Sequence, residues 1–276
     1  MYEPVIKWTG SKRSQAEEII SHFPKQIDTY YEPFIGGGSI LNRLLSSKVK
    51  IKKYVCSDIN SDLINLWVAI RDRPNDVFRH YKNLWNELIS KKSVTEKSEF
   101  YNRIRDRYNE NHDPLDFMFI MRTCFNGMPR YNREGKFNNP YHLNRNGINP
   151  SKFRGIIDEW AYVIRNVDFI CQSYDAIIPG ENDFVYMDPP YFNTKSMYSG
   201  GIDINDYFDF LRNLKCGYAV SFDGKSGGID RTFDFPEELY TEHFYVKNGV
   251  SSFRRINNQG AQMVYESLYV KKALLE

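Results

Sequence analysis

Phe184-Val185-Tyr186-Met187-Asp188-Pro189-Pro190-Tyr191 is the stretch whose reading decides the fold. Its first four residues form an apolar run and read as a short buried strand. Proline has no N–H and cannot continue a central strand, and the residue before each proline is held extended. The chain therefore leaves the sheet stiffly, with carbonyls free of ladder pairing. Asp188 offers an acceptor carboxylate, Pro189 an acceptor carbonyl and Tyr191 a flat aromatic face at one rigid corner. That set suits a planar molecule with an exocyclic amino group: the amino hydrogens go to the two acceptors and the ring stacks on the aromatic.

Upstream, Thr29-Tyr30-Tyr31-Glu32-Pro33-Phe34 runs into Ile35-Gly36-Gly37-Gly38-Ser39 and then an amphipathic segment with Ile40, Leu41, Leu44 and Leu45. This is a strand–turn–helix unit, and its glycines permit close backbone approach and positive φ. A second strand, Lys53-Tyr54-Val55-Cys56, ends at Asp58. That acid lies about 20 residues past the glycines, where Rossmann-like units place a ribose-binding carboxylate. The glycine pattern is not G-x-G-x-x-G, which disfavours NAD and leaves an adenosine-type ligand. Nearer the start, Gly10 stands between Thr9 and Ser11, flanked by Lys7, Lys12 and Arg13, a candidate anion or ligand loop. Ser14, with Glu17 at the capping-box position, predicts a helix over 15–22.

The 276 residues suffice for one large domain or a core with an inserted lobe. No apolar run approaches the ~20 residues of a membrane helix, and Met1-Tyr2-Glu3-Pro4 does not open a signal peptide, so a cytoplasmic setting is expected. Cys56, Cys124, Cys171 and Cys216 are far apart, no C-x-x-C occurs, and the His residues have no ligand spacing, so no metal is expected. No Pro-Cys pair occurs. Net charge is only +2, but between Met121 and Gly155 seven bases (Arg122, Arg130, Arg133, Lys136, Arg145, Lys152, Arg154) face one acid, Glu134. Such a local patch can bind phosphates on a nearly neutral chain.

Residues 60–123 read as successive helices, interrupted at Pro74, with no strand among them. Residues 124–150 are loop-like, with Asn-Gly turn signals that can pair as a hairpin. Their mixture of Arg, Asn and aromatics is what reading and stacking on bases require. Core signals return with a helix over 151–165, strands at Val167–Cys171 and within 215–222, a helix over 202–214, and a terminal strand pair at 239–247 and 261–271. Ser251-Ser252-Phe253-Arg254-Arg255 forms a second basic loop. The expectation is an α/β fold: a Rossmann-like sheet with a terminal antiparallel strand pair, catalytic over 1–59 and 151–276, and an inserted helical recognition domain over 60–150.

Four elements stand in one order: Lys7-Trp8-Thr9-Gly10-Ser11-Lys12, then Glu32-Pro33-Phe34-Ile35-Gly36-Gly37-Gly38, the basic Asn-Gly-Arg loop, and Asp188-Pro189-Pro190-Tyr191. Over about residues 5–270 the chain resembles the Dam-type DNA adenine-N6 methyltransferases. The resemblance implies S-adenosylmethionine as cofactor and duplex DNA as partner, with GATC as the commonest target of the group. It implies Asp188, Pro189 and Tyr191 as catalytic residues. Trp8, Lys12, Phe34, Gly36, Gly38, Asp58, Ile170 and Asp188 would line the cofactor site. Lys7, Phe125, Asn126 and Arg130 would meet the DNA, with Arg130 reading a guanine, and Arg122, Asn132, Arg133, Lys136 and Arg254 would complete the DNA surface. A monomer is expected, acting separately from any cognate restriction endonuclease. The family favours Gly-Gly-Lys where this chain has Gly10-Ser11-Lys12, and Pro129 departs from its pattern. Other amino groups remain open as targets, namely cytosine N4 or an RNA adenine, as does a DNA-binding module without catalysis. Glutamine methyltransferases carry Asn-Pro-Pro-Tyr, which Asp188 argues against.

Overall fold

Strand β1 (Gln26–Glu32) lies between β2 (Lys50–Asp58) and β4 (Phe184–Met187), and that placement fixes the site. The computed structural model describes residues 1–190, 202–226, 229–250 and 263–272. The remaining strands are β3 (Val167–Cys171), β5 (Gly217–Ser226), β6 (Ile229–Asp230), β7 (Glu242–Val250) and β8 (Met263–Lys271). They form one sheet in the order β3-β2-β1-β4-β5-β8-β7, with the short β6 beside β5. The first five are parallel, and β8 runs antiparallel to both β5 and β7. The expected Rossmann-like sheet with a terminal antiparallel pair is therefore the observed one.

The chain winds from β1 outward to β3, then restarts at β4 on the other side of β1. Right-handed crossovers in opposite directions put their helices on opposite faces. Helices α1 (Ala16–Ser21) and α2 (Ser39–Leu45) cover one face, where Ile19, Ile40 and Leu44 pack with Tyr30, Phe184 and Tyr186. Helix α8 (Ile204–Asn213) covers the other, where Tyr207 and Leu211 meet Val185 and Met187. The four residues of β4 thus alternate between two cores, as strand geometry requires. The crevice between the carboxyl ends of β1 and β4 is the switch point at which open α/β sheets bind ligands.

Helices α3 (Ser61–Asp72), α4 (Pro74–Ser90), α5 (Val94–Asn111) and α6 (Pro114–Thr123) precede α7 (Pro150–Val163). Their starts carry local signals: Asn60 accepts from the Leu63 amide at 3.0 Å, Pro74 opens α4, Ser93 and Glu96 form a capping box, and Asp113 caps α6. Helix α3, expected in the inserted lobe, lies on the sheet instead. Trp67 stacks on Phe169 of β3 at 5.4 Å, and one continuous core joins it to α4–α6.

Two expectations are corrected. Helix α1 starts at Ala16 after Gln15, with no side-chain cap. Ser14 Oγ donates to Asn248 Oδ1 at 3.3 Å, so its hydroxyl is engaged with β7 and leaves the helix uncapped. The 124–150 loop contains a hairpin, with bridges at Cys124–Tyr141 and Tyr131–Phe137. Its tip is not Asn126-Gly127, whose φ angles of 57° and 62° make a left-handed turn near the hairpin base. The tip is Asn132–Gly135, where Asn132 Oδ1 accepts from the amides of Glu134 and Lys136, both at 2.9 Å.

Candidate active site

The N-terminal segment has little regular structure before α1, so side chains fix its course. Asn42 exchanges two hydrogen bonds with the Tyr2 backbone at 2.9 and 3.0 Å, and Trp160 Nε1 donates to the Glu3 carbonyl at 2.7 Å. Arg122 donates to the carbonyls of Pro4 and Val5 and lies over the Phe153 ring. Arg122 was expected at DNA; these bonds make it an internal tie instead, and it is removed from the DNA surface.

The segment so held lays Trp8 across the glycine loop. A Cβ on Gly37 would sit 2.9 Å from Trp8 Cβ, and one on Gly36 would sit 3.1 Å from Trp8 Cδ1. Gly36 and Gly38 have φ of 46° and 66°. From the other side, Trp67 Nε1 donates to the Gly36 carbonyl at 3.0 Å. The Gly36 amide donates to Asp58 Oδ2 at 3.3 Å, and the Asn60 amide to Asp58 Oδ1 at 3.0 Å. Asp58 stands at the end of β2, half-buried, and burial pushes its carboxyl up to about 6 against those backbone bonds. Ile59 and Ile170, exposed apolar residues at and beside neighbouring strand ends, flank the same region. Phe34 stacks on Tyr174 at 5.7 Å. Trp8, Phe34, Gly36, Gly38, Asp58 and Ile170 are thus all placed at or near the carboxyl edge of the β1–β2–β3 strands. Glycines that admit an indole at contact distance, and a carboxyl bonded to the amide of the same loop, are the residue types an adenosine-type cofactor requires.

Gly38 has no side chain to cap α2. The buried carboxyl of Glu32 takes that place, accepting from the Leu41 amide and from Tyr30 Oη at 2.8 Å. Burial pushes Glu32 up to about 8, the nearby Asp188 adding to the rise and the two hydrogen bonds opposing it. Glu32 in the unfolded chain sheds its proton near 4.5, whereas the folded protein keeps it until about 8. Between these limits the unfolded state binds fewer protons, so stability falls as pH rises, by about 1.4 kcal/mol per unit. Wild type is expected to lose melting temperature from pH 5 to 8 more steeply than Glu32→Gln; parallel curves would contradict this assignment.

Asp188 closes β4 with one-fifth of its side chain exposed. Lys12 Nζ lies 2.9 Å from Asp188 Oδ1 and 3.0 Å from Glu266 Oε2. Burial raises the Asp188 carboxyl to about 6; Lys12 opposes the rise, and Glu266 and Asp223 add to it. Pro189 is buried behind it. Tyr191 and Arg254 lie outside the described residues.

On the hairpin, Phe125 is 48% exposed and stacks on His142 at 5.4 Å. Asn126 is exposed in its left-handed turn. Arg130 is turned onto Asn138, bonding its side-chain and main-chain oxygens at 2.9 Å each. Arg133 and Lys136 are exposed near the tip, and Asn132 shapes it. The Lys7 stem crosses Gly127, where a Cβ would meet it at 2.5 Å, and Lys7 lines a cavity of about 280 Å³ with Arg122, His142 and Arg145. Asn60 Nδ2 donates to Tyr131 Oη at 3.4 Å, linking the Asp58 corner to the hairpin. Sequence reasoning missed Glu266, Trp67, Asn60 and His142 as site residues, and counted Arg145 only within the basic patch. Among the described residues, no group of His, Cys, Asp and Glu could hold a metal, and no helix is long and apolar enough to cross a membrane.

Comparison with known proteins gives this geometry its family. The type II methyltransferase M.MjaIII of Methanocaldococcus jannaschii is 31% identical over 96% of this chain and 98% of its own length. The DNA adenine methylase of Escherichia coli K12 is 31% identical over 67% of this chain and 64% of its own, and that of Serratia marcescens is 31% identical over 67% and 66%. Among solved structures, the rRNA methyltransferase AviRa of Streptomyces viridochromogenes aligns over 99% of this chain with a TM-score of 0.39 and 12% identity, too distant to bear on function. The family model of the D12 class N6 adenine-specific DNA methyltransferases matches residues 8–215, and the chain belongs to that family.

Proposed function

We propose that this enzyme transfers the methyl group of S-adenosylmethionine to N6 of an adenine flipped out of duplex DNA, within a short site such as GATC. The observation that carries the reading is the Asp188-Pro189-Pro190 corner, set at the switch between β1 and β4 beside a glycine loop that faces Asp58. Asp58 would hold the ribose hydroxyls, Trp8 and Phe34 would bound the cofactor with Gly36 and Gly38, and Ile170 would flank its adenine. The chemistry the cofactor supplies is an activated methyl group on sulfonium sulfur.

The remaining work falls to protein groups. N6 of a stacked adenine is inaccessible, so the base must leave the helix. The N6 lone pair is delocalised into the ring. Hydrogen bonds to Asp188 and the Pro189 carbonyl favour the pyramidal amine of the transition state, a preorganised electrostatic effect. Tyr191 would stack on the base. The lobe within 60–150 would supply target recognition, with Phe125 and Asn126 entering the duplex, Arg130 exchanging its Asn138 bonds for a guanine, and Lys7, Arg133, Lys136 and Arg254 on phosphates. The enzyme would act as a monomer, separately from any cognate restriction endonuclease.

The test is methylation of a synthetic duplex carrying one GATC, with product nucleosides identified by mass spectrometry. N6-methyladenine at that site is expected, and 2-aminopurine at the target position is expected to brighten on binding. Methyl transfer to cytosine N4 or to RNA alone would overturn the reading. DNA affinity is expected to fall steeply with salt, because phosphate contacts release counterions. Arg133→Ala and Lys136→Ala are each expected to flatten the log–log salt slope by about 1. A flat titration for wild type would count against the hairpin as the DNA surface.

A further inference from the structure

Lys12 is 4% exposed and lies between two carboxylates from different strands, Asp188 after β4 and Glu266 on β8, at 2.9 and 3.0 Å. Glu266 is itself 8% exposed, and its other oxygen accepts from Asn248 Nδ2 at 2.6 Å. Asn248 in turn accepts from Ser14, two residues beyond Lys12. A buried carboxylate is retained only where a cation and hydrogen bonds hold it. Here one ammonium serves two acids, and Asp223 raises Asp188 further from the adjacent β5.

The arrangement poses a competition. An amine that needs Asp188 as acceptor must displace the Lys12 bond from Oδ1 or share the carboxylate with it. If Asp188 were the only partner of Lys12, that displacement would leave a buried ammonium unpaired, a costly state. With Glu266 at 3.0 Å the ammonium already has its second partner.

We infer that Glu266 is a positioning residue for methyl transfer, holding Lys12 so that Asp188 can turn to the incoming amino group. Glu266 acts through Lys12, which stands between it and Asp188. The inference rests on the function proposed above. Among the described residues, the groups that face Asp188 are Lys12 from the N-terminal segment, Glu266 from β8, Asp223 from β5, Glu32 from β1, Tyr186 from β4 and Tyr207 from α8.

The test is single-turnover methylation of the GATC duplex by Glu266→Gln over pH 5 to 9, beside calorimetric binding of S-adenosylmethionine. Gln keeps the shape and the Asn248 contact but removes the charge, so Lys12 stays on Asp188. The rate is expected to fall tenfold or more, on the order of the ~100-fold that small misplacements of reacting groups cost. Cofactor affinity should stay within threefold. The acid limb of the rate profile should move to lower pH, because the negative charge that raises Asp188 is gone, and Glu266→Asp should return that limb toward its wild-type position. An unchanged rate and limb would overturn the inference, as would a rate loss matched by an equal loss of cofactor binding. If Glu266→Gln does not fold, Asn248→Ala, which frees Glu266 without discharging it, is expected to lower the rate with cofactor affinity kept; an unchanged rate there refutes the proposal. Wild type that methylates no DNA would instead refute the underlying function.

Discussion

Asp188→Ala is expected to lower the methylation rate by at least about 100- to 1000-fold, the loss seen when one preorganised hydrogen-bonding group is removed from a transition state. The protein should remain folded, because Lys12 keeps Glu266 as a counter-charge at 3.0 Å when Asp188 is gone. Duplex affinity should be nearly unchanged, since the hairpin lies on a separate part of the chain. In wild type, burial places the Asp188 carboxyl near 6. Its neutral form is a weaker acceptor for an amino group, so the rate should fall as pH drops through about 6. A rapid-quench assay over pH reads both results, and turnover retained in Asp188→Ala would refute the catalytic assignment.

Gly38→Ala is expected to weaken S-adenosylmethionine binding at least about tenfold and to lower the melting temperature by several degrees. Gly38 has φ of 66°, where an L side chain costs roughly 1–2 kcal/mol. Its new methyl would also stand 2.9 Å from Trp67 Cζ2. Trp67 cannot yield freely: it is fully buried, stacks on Phe169 and holds the Gly36 carbonyl. The strain therefore passes into the loop that carries Gly36. Gly135→Ala is the control, with φ of 75° but no atom within 4 Å of the added Cβ. It should show a small stability loss and unaltered cofactor affinity by calorimetry. Equal effects of the two substitutions would mean that backbone strain alone, and not the Trp67 contact, shapes the loop.

Much of this was legible in the residues themselves. Phe184–Met187 announces a strand buried on both faces, and Pro189 forces its end. The glycine run and Asp58 are separated by the length of one helix and one strand, which brings them together wherever those two strands pair. Other parts depend on contacts that no local pattern carries. Ser14 and Glu17 have capping-box spacing, but Ser14 is drawn to Asn248, 234 residues away. Arg122 lies in the basic stretch, yet its guanidinium faces the N-terminal carbonyls, and charge counting cannot tell these apart. Trp67 reads as one more apolar residue in a helical run, and only the fold reveals that it clamps the glycine loop. Glu266 did leave a signal: a lone acid between Tyr265 and Ser267 in a mostly apolar strand is unusual enough to demand a partner. The partner's identity, Lys12, came only with the structure.

The most direct measurement is to express the chain in a host lacking adenine methylation and to sequence its DNA for modified bases. N6-methyladenine is expected at one short motif, GATC or a relative of it, and none in cells carrying Asp188→Ala. Methylated cytosine without methylated adenine, or unmodified DNA in cells full of folded protein, would contradict it.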